Sequence, residues 1–99
     1  MIARVWYGWT EFEDADEYEA FVTDEVLPDA EASIEECLGG DVLRRERADD
    51  VEFVTVIRFA SLDGVREFAG DEYEQAHVPE PARELLSEFE EKARHYEVA

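Results

Sequence analysis

Asparagine is absent from the chain, lysine occurs once as Lys92, and cysteine once as Cys37. Without asparagine there is no N-glycosylation acceptor. A single cysteine excludes an intramolecular disulfide. Its neighbours Glu35, Glu36 and Asp41 disfavour a thiolate, so Cys37 reads as a small buried hydrophobe in a reducing cytoplasm. No apolar run approaches the roughly 18 residues of a membrane helix. The opening MIARVWYGW has neither the long apolar stretch nor the small-residue cleavage site of a signal peptide. There is no CxxC, HxH, HExxH or glycine-rich phosphate loop, and Ser33, Ser61 and Ser87 stand in no nucleophile elbow. Asp14, Asp16 and Glu25 match part of a calcium-loop spacing, but Glu19 stands where that loop requires glycine. These absences argue against metal, nucleotide and serine-nucleophile chemistry.

Charge of one sign dominates what is present. Twenty-eight Asp and Glu face nine Lys and Arg, a net −19. Such a chain repels nucleic acid and anionic membrane. The acids run along the whole chain instead of forming one tail, and lysine is nearly missing. In this the composition resembles that of proteins from extremely halophilic archaea, whose surfaces work in molar salt, where screening acts over about 3 Å. With 45% hydrophobic and 12% aromatic residues, the chain is still rich enough to fold. Its 99 residues make one domain, 1–99.

Periodicity divides that domain into seven elements, of which the two later helical pieces together make one α unit. Residues 2–9, β-branched and aromatic, read as a strand. Asp14 with Glu17 suggests a capping box, followed by a helix with Ala15, Tyr18, Val22, Val26 and Ala30 on one face and an end or kink at Pro28. Gly39-Gly40 reads as a turn, residues 41–47 as a second strand, Ala48-Asp49-Asp50 as a hairpin connection, and 51–60 as the strongest strand. Ser61 caps a helix with Leu62, Val65, Phe68 and Ala69, stopped by Gly70. A further helical piece begins at Pro79-Glu80-Pro81 and carries Ala82, Leu85, Leu86 and Phe89. Residues 90–98 close as a strand.

The order β-α-β-β-α-β is the ferredoxin-like arrangement, an α+β fold with a four-stranded antiparallel sheet and both helices on one face. The strongest strand is apolar on both sides, with Phe53, Ile57 and Phe59 opposite Val54 and Val56. In the first strand Ile2 and Trp6 stand opposite Val5 and Trp9. Helices cover one face only, so the other calls for a second copy of the chain, a homodimer through its sheet faces.

The segments MIARVWYGWT, Gly40–Arg45, Val51–Phe59 and Arg94–Val98 resemble the antibiotic biosynthesis monooxygenase family over nearly the whole chain. The resemblance implies a dimeric α+β barrel and oxygenation of a small aromatic substrate such as a phenol, quinol or anthrone, with dioxygen and no metal, flavin or other cofactor. Such chemistry needs a dry pocket, a proton acceptor and donors that steady an anion. The expected set is His77 as proton handler with His95 as its alternative, Arg58 as anion stabiliser, Tyr73 as a hydroxyl donor, and Trp6, Phe68 and Tyr96 around the substrate. Trp6 and Trp9, three apart on one strand, cannot share a pocket.

The family's polyketide branch is associated with an Asn–Trp–Arg set, and this chain has no Asn. Its haem-degrading branch is associated with Asn, Trp and an axial His. His77 falls in the corresponding segment, but Phe68 stands at the tryptophan position, so haem is the lesser expectation. A non-catalytic or stress-related binder of small ligands on the same scaffold is the alternative to an oxygenase. Arg44, Arg45 and Arg47 read as ion-pair partners of surrounding acids.

Overall fold

A computed structural model describes all 99 residues. The chain runs β1 (Ile2–Thr10), α1 (Ala15–Phe21), a π turn (Val22–Val26), α2 (Leu27–Ser33), β2 (Cys37–Glu46), β3 (Val51–Phe59), α3 (Leu62–Ala69), α4 (Glu80–Leu85), β4 (Leu86–Phe89) and β5 (Arg94–Glu97). The result is α+β, an open five-stranded antiparallel sheet with its helices packed on one face, compatible with a ferredoxin-like fold. The sheet order is β2-β3-β1-β4, with β5 also on β1. No helix is long and apolar enough to cross a membrane.

The strand alternation sets the core. On β3, Val51, Phe53, Thr55, Ile57 and Phe59 are buried under the helices, while Glu52, Val54, Val56 and Arg58 on the other face are only half-covered. Register carries this parity across the sheet: Trp6 stands opposite Thr55, and Trp9 opposite Glu52. Tyr18 packs tilted on Phe53, with ring centroids 4.9 Å apart, joining the first helix to the sheet.

The expected closing strand is two strands. Helix α4 ends at Leu85, and Leu86–Phe89 pairs with β1 at Gly8–Thr10, while Arg94–Glu97 pairs with Ile2–Val5. Leu86 and Phe89, read from sequence as helical, are in β4 instead. The reason lies at Gly8: a Cβ there would sit 3.0 Å from the Leu86 side chain, so β1 leaves the room that Leu86 occupies. Between the half-strands, Ala76 N–H donates to Glu91 O at 2.7 Å and Ala93 N–H to Glu74 O at 2.8 Å. These bonds fasten the segment before His77 to the sheet edge.

Three further expectations are corrected. Gly39-Gly40 lies inside β2 as a bulge, not a turn. Gly39 has φ +101°, and a Cβ on Gly40 would stand 2.4 Å from the Val56 carbonyl oxygen. Asp14 makes no capping hydrogen bond, because a 3₁₀ turn over Phe12–Asp14 already leads the chain into α1. Of the end or kink expected at Pro28, the end is not found. Pro28 lacks an N–H and crowds the carbonyl four residues back. Here the preceding turn widens to π, with Leu27 N–H donating to Val22 O, and the helical path continues to Ser33. At the other helix the sequence signals hold: Ser61 Oγ accepts from Asp63 N–H at 3.2 Å, and Gly70 ends α3 at φ +88°.

Candidate functional site

A cavity of about 50 Å³ lies between the sheet and the helices. Arg4 and Trp6 of β1 with Thr55 and Ile57 of β3 form its floor. Tyr18, Phe21, Val22 and Val26 form its roof, and the last two belong to the π turn that Pro28 forces. π turns often occur at functional sites. Phe68, His77, Val78 and Pro79 close one end. There the Phe68 and His77 rings meet edge-on, with centroids 5.4 Å apart. The same two rings also line an outer groove that holds the acids Glu25, Asp29 and Glu67. They are thus the wall between an apolar interior and an acidic vestibule.

Ligand pockets typically measure roughly 300–1,000 Å³. A cavity of about 50 Å³ holds a few waters. An aromatic ring fits only if the Phe68–His77 wall swings aside and joins this interior to the outer groove. A haem does not fit: the interior is far too small for the macrocycle, and the acids of the vestibule oppose its propionates.

Arg4 is the strongest polar feature of the cavity, and it is absent from the set expected from sequence. It is 4% exposed. One Nη1 hydrogen goes to Tyr73 O at 2.5 Å, another meets His95 Nε2 at 3.0 Å, and Nη2 donates to Gln75 O at 3.3 Å. Its guanidinium carbon stands 5.5 Å from the centre of the Phe68 ring. Burial lowers its pKa from 12.5 to about 10, so at neutral pH it remains a cation. Its sequence signal was parity: a lone charge on the same side of β1 as Ile2 and Trp6.

The remaining expected residues separate. His77 sits exposed at the mouth and makes no hydrogen bond to the protein. Trp6 lines the floor with its indole N–H donated to Glu90 O at 2.7 Å. Tyr73 and His95 stack edge-on with centroids 5.1 Å apart and line a different groove beside β5, joined to the cavity only through Arg4. Burial and the neighbouring Arg4 hold His95 below its usual 6.5, while Glu74 pulls the other way. Neutral His95 thus accepts from Arg4. Tyr18, pushed up to about 12 mainly by burial, stays a phenol.

Arg58 is not in the cavity. It lies on the open face of the sheet, paired with Asp41 at 3.0 Å, because its position on β3 shares the parity of Val54 and Val56. Tyr96 also faces away, 52% exposed, opposite Ala3. Trp6 and Trp9 do occupy opposite faces. Arg44, Arg45 and Arg47 each pair with acids, as expected from the charge pattern. No family model matches the chain, and no curated protein matches it.

Proposed function

We propose that this chain is a cofactor-independent monooxygenase of the antibiotic biosynthesis monooxygenase type, acting with dioxygen on a small aromatic phenol, quinol or anthrone. The observation that carries the reading is the apolar cavity under the sheet, with a buried cation on its floor and an uncommitted imidazole at its mouth. His77 takes a proton from the substrate, and Arg4 replaces Arg58 as the group beside the resulting anion. The anion passes one electron to dioxygen, and the radical pair joins as a carbon-bound peroxide. The protonated His77 returns its proton to that peroxide. Loss of water from the hydroperoxide leaves a quinone carbonyl, so one dioxygen yields one quinone oxygen and one water. Trp6 and the roof residues keep bulk water from the intermediate.

Oxygen uptake in molar KCl with a panel of naphthols, hydroquinones and anthrones tests this reading. We expect quinone product at one dioxygen per turnover, and His77→Ala lowers the rate by about 100-fold, the scale of a lost general acid–base. No uptake with any member of the panel overturns it. One observation favours a second reading, a small-ligand binder without turnover on the same scaffold. No third group orients His77, whereas catalytic bases are commonly so held.

The proposal includes a cytoplasmic homodimer in which two sheet faces meet, forming a dimeric α+β barrel in a salt-adapted protein. Tyr7, Trp9, Val54 and Val56 are half-covered on the open face, and Leu43 there is 53% exposed. Sedimentation in molar salt reads the mass directly.

A further inference from the structure

Six of the eight arginines lie within 4.0 Å of a carboxylate, Arg44, Arg45, Arg47, Arg58, Arg66 and Arg94. Arg83 has none but is exposed. Arg4 alone is buried with no acid, in a chain of 28 carboxylates. Burying a cation costs several kcal/mol unless an anion compensates. Its protein partners are two carbonyl oxygens and one imidazole nitrogen, all uncharged. A guanidinium carries five N–H donors. Three are used, which leaves one on Nε and one on Nη2, on a residue that lines the cavity.

We infer that Arg4 makes this cavity a monoanion site: a planar, otherwise apolar ligand seats one anionic oxygen, of a phenolate, enolate or carboxylate, against the free Nε and Nη2 donors. The site takes one negative charge and no more. Arg4 is the only arginine or lysine on the cavity lining, and no aspartate or glutamate lines it. Glu25, Asp29 and Glu67 in the vestibule reject a second charge left outside. Arg4 is buried, so an anion on its free donors lies away from bulk water, where salt screens it least. The inference rests on reading the cavity as the binding site for a small aromatic, but it does not require turnover.

A rival role exists for Arg4, as a staple that holds Tyr73 and Gln75 against β1. Ligand charge separates the two roles. Binding to the intact protein in 2 M KCl is followed by quenching of tryptophan fluorescence, using 1-naphthoate and its neutral analogue 1-methylnaphthalene. A hydrogen bond to a charged group contributes roughly 1.5–3 kcal/mol, about 10- to 100-fold in affinity. We expect naphthoate to bind tighter than methylnaphthalene by that factor. In Arg4→Met the advantage disappears while methylnaphthalene affinity stays within about threefold; Arg4→Lys retains part of it.

A measurement on the unmutated protein stands beside this, should Arg4→Met not fold. A nitronaphthol, coloured as the phenolate, should lose about one pKa unit or more on binding, and His77→Gln should keep that shift. Equal affinity for both naphthalenes, or a bound nitronaphthol with an unlowered pKa, overturns the monoanion site and leaves the cavity as an apolar pocket. Loss of both ligands in a folded Arg4→Met overturns it in favour of the staple. If neither naphthalene nor the nitronaphthol binds the unmutated protein, the cavity reading falls and the inference falls with it.

Discussion

The two faces of β3 carry the same kinds of residue and meet opposite fates. Phe53, Ile57 and Phe59 are at most 3% exposed, while Val54 and Val56, one step away on the same strand, stay half-covered. Hydrophobicity does not distinguish the faces; the supply of cover does. The first helical rod gives Ala15, Tyr18, Val22 and Leu27 to one face, and the chain has no other element for the opposite one. Catalytic candidates follow the same division. Arg4, Trp6 and His77 gather on the covered side, whereas Arg58 and Tyr96 lie on the open side beside Asp41 and Ala3.

Substitution on each face is the sharpest way to break this comparison. Phe53→Ala removes a buried ring from the helix-covered side and should cost about 3–5 kcal/mol in urea unfolding. Val54→Asp should leave the far-ultraviolet circular dichroism of the protomer intact. In sedimentation it should reduce the mass from about twice the 11.4 kDa of the chain to that of a monomer. An unmutated protein that already sediments at 11.4 kDa ends the dimer proposal.

Salt should act more broadly than either substitution alone, though less severely than the loss of a core ring. The net −19 penalises compaction wherever it is unscreened. Between about 0.1 and 2 M KCl the Debye length falls from about 10 Å to below 3 Å. The melting temperature should climb by many degrees over that range, and Val54→Asp should steepen the climb by adding charge to the open face. A flat melting curve contradicts the halophilic reading.

The smallest effect is a pH limb from the covered side. Burial and Arg4 lower the pKa of folded His95 below 6.5. The unfolded chain therefore binds that proton more readily than the folded one. Stability from this group is complete above pH about 6.5 and declines as pH falls through the window down to the lowered folded value. In His95→Gln the amide oxygen can accept from Arg4 without titrating, so the decline over that window should vanish in urea midpoints. A His95→Gln curve parallel to the unmutated one removes His95 as its source.

Sequence by itself determined whatever depends on local period and chain chemistry. Period two on residues 51–59 separated Phe53 from Val54, and three-residue spacing sent Trp6 and Trp9 to opposite faces. Ser61 and Gly70 bounded α3 because a hydroxyl cap and a left-handed stop act within a few residues. The same period already set Arg58 beside Val54 and Val56, but which side the helices would cover is not a local property, so its exclusion from the cavity was hidden. Tertiary structure also decided that Pro28 is absorbed by a π turn, that Leu86 leaves the helix for the space above Gly8, and that Arg4 is the cavity's cation. Arg4 meets the Tyr73 carbonyl across 69 positions and His95 across 91. Contacts over such separations leave no periodic trace in a single chain; they exist only once the sheet brings its first strand against its last.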